Sequence, residues 1–181
     1  MSQQPLTPEQ LSQEGKAAYE REEYEQAASA FEAAERGYAA AGEALNAAEQ
    51  ANNRSVALLQ AGNAQAALDA VGETAGVFAQ AGDTRRHAMA LGNKAAALAG
   101  LGQREEAEKL YWESARLLND IGETELRASV LQAISRLQMR SGRYMEAVAS
   151  MQSGLEQVEK PSWVQRLLKK LLQIPARMLN R

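Results

Sequence analysis

Apolar side chains recur along this chain at intervals of three and four residues, and glycine interrupts the runs at a fixed spacing. Ala107, Leu110, Tyr111, Ser114, Leu117 and Leu118 follow the i, i+3, i+4, i+7 rule, which sets one apolar stripe along a helix beginning near Arg104. A preceding run, which Asp83 or Thr84 can cap, extends through Leu98 to about Leu101, and Gly102 separates the two. Glycine between two such runs is the residue expected where a helix ends and the chain turns with positive φ. Thr84 to Glu123 therefore predicts a helix, a tight turn, a second helix and a second turn.

This unit recurs. Gly62, Gly102 and Gly142 are forty residues apart, as are Gly42, Gly82 and Gly122. Ala27, Ala67, Ala107 and Ala147 add a fourth copy, in which Glu22 stands in place of the first glycine. The period divides the chain into four helix-turn-helix units, 8–43, 44–83, 84–123 and 124–159. A single unit cannot bury its apolar faces alone, so each is expected to pack on its neighbours. Thr7-Pro8-Glu9-Gln10 supplies a capping threonine, proline at the first helical position and glutamine three residues after the cap. Ordered structure is expected to start there, with residues 1–7 as a loose leader.

Composition supports a helical reading. Hydrophobic residues make up 45% of the 181 positions, aromatics only 5%, and there are four prolines; alanine dominates, which suits closely packed helices and argues against a sheet sandwich. The chain is thus expected to be all-α. With no cysteine, disulfides, thiolate metal sites and thiol nucleophiles are excluded, and a reducing compartment fits. Neither an export signal nor a run of about 18 apolar residues is present. These features predict a soluble, cytoplasmic protein.

Charge is unevenly placed. Up to Glu159, fourteen basic residues face 23 acidic ones, a net of -9; beyond it Lys160, Arg166, Lys169, Lys170, Arg177 and Arg181 give +6 with no acid among them. Pro161 and Ser162 interrupt the repeat, and residues 160–181 predict a basic amphipathic C-terminal helix from Trp163 to about Ile174, ended by Pro175. On a helical wheel Val164, Leu167, Leu168, Leu171, Leu172 and Ile174 span about 0–180° from Trp163, whereas Gln165, Arg166, Lys169, Lys170 and Gln173 occupy about 200–340°. Three roles suit this segment. It can cap the exposed flank of the last unit, lie on an anionic membrane surface through Trp163, Arg166, Leu167, Lys169, Lys170 and Leu171, or dock on a second copy as a homo-oligomer contact. Nucleic acid is disfavoured as a partner, because the tail lacks interleaved aromatics and the acidic body repels phosphate.

Catalysis finds little support. There is one histidine, His87, beside Arg85 and Arg86, and no glycine-rich phosphate loop or metal-ligand spacing. Glu22-Glu23 and Glu105-Glu106 stand where second helices begin, and acids there favour the positive end of the helix dipole. No enzyme, cofactor or metal is expected.

The register resembles the tetratricopeptide repeat. Gly15, Ser55, Ala95 and Ser135 hold its small mid-helix position, and Phe31, Val71, Tyr111 and Met151 follow the motif alanine by four. Leu58 and Leu98 fit the large position near the end of the first helix; Ala18 and Gln138 do not. Leu11, Ala51, Leu91 and Leu131 replace the early tryptophan, and the closing proline is absent at Ala39, Ala79, Asn119 and Glu159. The forty-residue length is similar to the longer subclass found in G-protein signalling modulators and bacterial scaffolds. The resemblance implies an α-solenoid, a right-handed superhelix whose first helices line a concave groove that binds a protein or peptide partner. Its groove positions fall on Lys16, Asn53, Val56, Leu59, Gln60, Asn93, Ala96, Ala99, Arg136, Met139 and Arg140. Asn53 and Asn93 hold the slot that hydrogen-bonds a guest backbone in such arrays, or bridge adjacent helices. The basic clamp of chaperone-binding members is not kept, since its positions here are Ser12, Lys16, Asn53, Met89 and Asn93.

Overall fold

The computed structural model describes residues 6–156. Among them are nine α-helices and no strand: α1 (Pro8–Glu20), α2 (Tyr24–Ala40), α3 (Ala44–Gln60), α4 (Ala64–Val71), α5 (Thr74–Gln80), α6 (Thr84–Gly100), α7 (Arg104–Asp120), α8 (Thr124–Arg140) and α9 (Tyr144–Glu156). Packing is mostly between neighbours in sequence, α1 on α2, α2 on α3, α6 on α7, α7 on α8 and α8 on α9. The predicted amphipathic helix beyond Glu159 and residues 1–5 of the leader lie outside the described residues.

Turn chemistry explains the helix boundaries. At Gly102 the φ is +79°, its N–H donates to Ala99 O at 3.2 Å, and Gln103 N–H donates to Leu98 O at 2.9 Å. This pair of bonds satisfies carbonyls that the helix end would leave unpaired. The same two bonds recur with residues 22, 42, 62, 82, 122 and 142 in the glycine position. Glu22 adopts the conformation without being glycine, at φ +63°. A side chain at positive φ crowds the following carbonyl, a strain of about 1–2 kcal/mol. At the start of α1, the Thr7 hydroxyl accepts from Gln10 N–H and the Gln10 carboxamide accepts from Thr7 N–H, the capping box expected from sequence. Asp83 is the residue that caps α6.

One helix departs from the pattern. A single second helix is expected between Asn63 and Ala81, but the chain breaks there into α4 and α5. Gly72 sits at φ +28°, and the Thr74 hydroxyl donates to Val71 O at 2.7 Å, recapturing a carbonyl at the break. The counterparts of Gly72 forty residues away are Glu32 and Trp112, both inside unbroken helices. α4 packs on α3 and α6, and α5 on the same two, so the pieces together fill the place of one helix. Phe78 of α5 is fully buried, and the Arg86 guanidinium lies 5.1 Å from its ring centroid.

The core is distributed. Ala18, Ala27, Ala28, Phe31 and Ala57 join α1, α2 and α3; Ala48, Phe78 and Ala90 join α3, α5 and α6; Ala95, Leu98, Ala107, Tyr111, Leu131 and Ile134 belong to a cluster across α6, α7 and α8. The small mid-helix residues explain how paired helices approach. Ser55 donates to Ala67 O and Ser135 to Ala147 O, each at 2.8 Å, so a buried hydroxyl is satisfied by the backbone of the facing helix. Gly15 has another reason: a Cβ there would come within 2.7 Å of the Phe31 ring. Gln138, which departs from the repeat pattern, is 3% exposed and fully engaged. Its carboxamide donates to Glu108 and accepts from Ser150, both at 2.9 Å, and Arg143 also holds Glu108. Burial pushes the Glu108 carboxyl up, but hydrogen bonds from Arg143 and Gln138 outweigh it and leave the group below its ordinary value.

Candidate functional site

The first helices α1, α3, α6 and α8 lie side by side. The Ser12 hydroxyl of α1 donates to Gln50 of α3 at 2.9 Å, the Asn93 amide of α6 donates to Asn52 of α3 at 3.0 Å, and α6 packs on α8. All eleven groove positions expected from sequence fall on these four helices.

Three of them meet at one place. Lys16, Asn53 and Val56 line a cavity of about 250 Å³ together with Tyr19, Glu20 and Phe31. Phe31 reaches it because Gly15 carries no side chain to hold the ring away. Tyr19 leans edge-on against Tyr24, with ring centroids 5.4 Å apart. Burial, helped by neighbouring Tyr24, raises the Tyr19 phenol above its ordinary pKa, while a hydrogen bond with Gln60 opposes the rise. The cavity thus has an aromatic and aliphatic wall with one amide, one ammonium and one carboxylate at its edge.

The two asparagines differ. Asn93 is half-buried and its amide is taken by Asn52, which is itself 6% exposed. Of the two roles open to Asn93, bridging adjacent helices is the one the geometry provides. Asn53 is half-buried and makes no side-chain hydrogen bond among the described residues. Its counterpart partner, forty-one residues earlier, is Ser12, whose hydroxyl donates to Gln50 and takes no bond from Asn53. An amide left free at the mouth of an apolar cavity has donor and acceptor capacity for an incoming group.

A scan of protein-family models and a search of the curated proteins found no match to this chain. The site therefore rests on its own geometry.

The remaining expected residues are spread along the same helices. Ala96 and Ala99 pack against the large cluster under α6. Leu59 approaches the Gly100 backbone, where an added Cβ would meet its Cδ1 at 3.5 Å and the Ala64 Cβ at 2.8 Å. Gln60 turns toward Tyr19. Arg136, Met139 and Arg140 are exposed on α8, and no ion pair holds either arginine among the described residues. Arg136 sits near Tyr111, whose phenol is raised by burial and lowered by that guanidinium. Tyr19, Glu20 and Phe31 were absent from the expected set. Tyr19 and Glu20 follow Lys16 by three and four residues, which places them on its helix face, so that spacing was the signal for them.

His87 stands half-buried in the first turn of α6, and among the described residues no group of three or more His, Cys, Asp or Glu side chains is placed to hold a metal ion. No helix among them is long and apolar enough to cross a membrane. Trp163, Arg166, Leu167, Lys169, Lys170 and Leu171 lie outside the described residues.

Proposed function

We propose that this chain is a non-catalytic, cytoplasmic interaction scaffold that binds a peptide segment of another protein along the face of α1, α3, α6 and α8. In this reading the four forty-residue units form a tetratricopeptide-repeat array, a right-handed superhelix, and that face is its concave groove. The observation that carries the proposal is the cavity where Lys16, Asn53 and Val56 converge over Phe31, with the Asn53 amide unclaimed by the protein. An apolar recess with a few polar groups at its edge is what recognition of one side chain and its adjoining backbone requires.

The test is a pull-down from the source organism with the full-length chain and with Val56→Arg, which fills the cavity with a long cation. Partners retained by the wild type and lost by the variant support the reading. An identical set of partners on both, with helicity unchanged, removes the groove from the function.

A second reading rests on the acid-free cationic segment after Glu159, which matches a helix lying in an anionic membrane surface. Flotation with anionic vesicles separates the two: the full chain should float and a chain ended at Glu159 should not. Equal flotation would discard membrane attachment.

A further inference from the structure

We infer that the groove selects a two-point ligand: an extended peptide with one large apolar side chain in the α1–α3 cavity and one or two carboxylates, five or six residues away, on Arg136 and Arg140. This rests on the peptide-binding reading above and specifies the chemistry of its partner.

The two ends of the face differ in what they offer. At α1 and α3 the cavity of about 250 Å³ is walled by Tyr19, Phe31 and Val56, and the charges at its edge, Lys16 and Glu20, cancel. It selects for shape and apolar surface rather than charge. At α8 the corresponding seat is occupied differently. Arg136 stands eighty residues after Val56, Tyr111 eighty after Phe31, and Ala133 eighty after Asn53, so the seat that Val56 holds at the cavity is held here by a cation near Tyr111. Arg140 follows one turn later. Neither guanidinium is neutralised by a described carboxylate, and both are exposed. Paired arginines with free donor forks are matched by carboxylates.

Between the ends, α6 carries the half-buried Ala96 and Ala99, side chains of one carbon. A strand crossing this helix meets these methyl groups and Asn93, whose amide is held by Asn52, so the middle of the ligand is read for length alone. α3 packs on α6 and α6 on α8. Two interaxial steps of about 8–10 Å separate the cavity from the arginines, which five or six extended residues span at about 3.3 Å each.

The experiment pans a displayed library of random dodecapeptides against the full-length protein, against Val56→Arg and against Arg136→Glu/Arg140→Glu. Circular dichroism checks that each variant keeps its helicity. The wild type should enrich peptides with Leu, Phe or Met five or six positions from Asp or Glu. The α8 variant should keep the apolar preference and exchange the acids for Lys or Arg. A wild-type-selected peptide, measured by fluorescence anisotropy, should lose roughly tenfold or more in affinity for that variant. Val56→Arg should lose the apolar preference. If the wild type enriches no peptide, the groove reading itself falls. If it enriches peptides without the spaced pattern, or the α8 variant selects the same acids, peptide binding stands and this inference is overturned.

Discussion

The contact between Gly15 and Phe31 makes a quantitative prediction about how the units are built. In the units that follow, the same two seats are held by Ser55 with Val71, Ala95 with Tyr111 and Ser135 with Met151. Transplanting the second pair into the first unit, Gly15→Ser with Phe31→Val, tests whether the seats are coupled. Gly15→Ser alone brings a Cβ to 2.7 Å from two Phe31 ring carbons, and Phe31 is 3% exposed, so the ring must leave its packing and shift toward the cavity it lines. Overpacking of this kind costs about 1–3 kcal/mol. Replacing glycine inside a helix returns about 0.5 kcal/mol of propensity, leaving a net loss of about 1–2 kcal/mol. Phe31→Val alone opens a void, and with truncation of a buried Phe to Ala costing about 3–5 kcal/mol, stopping at Val costs about 2–3 kcal/mol.

Were the seats independent, the double variant would lose the sum. It should instead lose at least about 1 kcal/mol less, because the ring that clashes is gone and the new hydroxyl can donate to Ala27 O as Ser55 does to Ala67 O. Urea unfolding followed at 222 nm on the four proteins gives the cycle. Additivity within about 0.5 kcal/mol, or a Gly15→Ser variant as stable as the wild type, would refute the argument.

Three further outcomes are expected. Glu22→Gly relieves the positive φ at +63° at the expense of some unfolded-state entropy, so it should stabilise by about 0.5–1 kcal/mol and raise the melting temperature by roughly 1–4 °C; an unchanged or lower Tm contradicts the strain. Asn93→Ala should destabilise by about 1–3 kcal/mol by leaving the buried Asn52 oxygen without its donor, whereas Asn53→Ala should leave stability within about 0.5 kcal/mol and weaken peptide binding; the reverse pattern in denaturation would exchange their roles. The Glu108 carboxyl is held below its ordinary value, so its contribution is present above the unfolded-state pKa and is lost as pH falls through the folded one. Glu108→Gln should therefore be less stable than wild type at pH 7 and flatten the decline below about pH 4.5, and parallel stability curves for the two proteins would discard that linkage.

Much of the frame was legible in the sequence because turns are chemically demanding. A chain that reverses through positive φ accepts few residues, so glycine at forty-residue spacing located nearly every helix end, and Thr7 and Asp83 marked two starts. The break at Gly72 was not legible. A lone glycine inside an apolar helical run is often tolerated, and only the neighbouring Thr74 hydroxyl, reaching back to Val71 O, reveals that the helix stops. The site was half legible. Lys16, Asn53 and Val56 converge as their register implies, but the register treats Asn53 and Asn93 as equals. What separates them is the residue forty-one before each: Asn52 carries an amide oxygen that reaches Asn93, whereas Ser12, with its shorter side chain, gives its proton to Gln50 and takes nothing from Asn53. A single polar substitution at a helix junction thus decides whether an amide braces the scaffold or faces outward.

That difference implies a division of labour between positions. The seats that set the frame, the turn residues (glycine except at Glu22) and the buried Ala27, Ala67, Ala107 and Ala147, vary little along the chain because every helix pair must close in the same way. The seats at the exposed edge of the first helices have no such obligation, and they vary: Lys16, Val56, Ala96 and Arg136 occupy one register position on four successive helices. Each step changes what a guest would meet, from ammonium to isopropyl to methyl to guanidinium, without altering how the helices pack. Under the proposed function, selectivity resides in a short row of side chains that, Ala96 apart, contribute little to stability. Substitutions along it should change binding while leaving the unfolding midpoint in place, and substitutions in the frame should do the opposite.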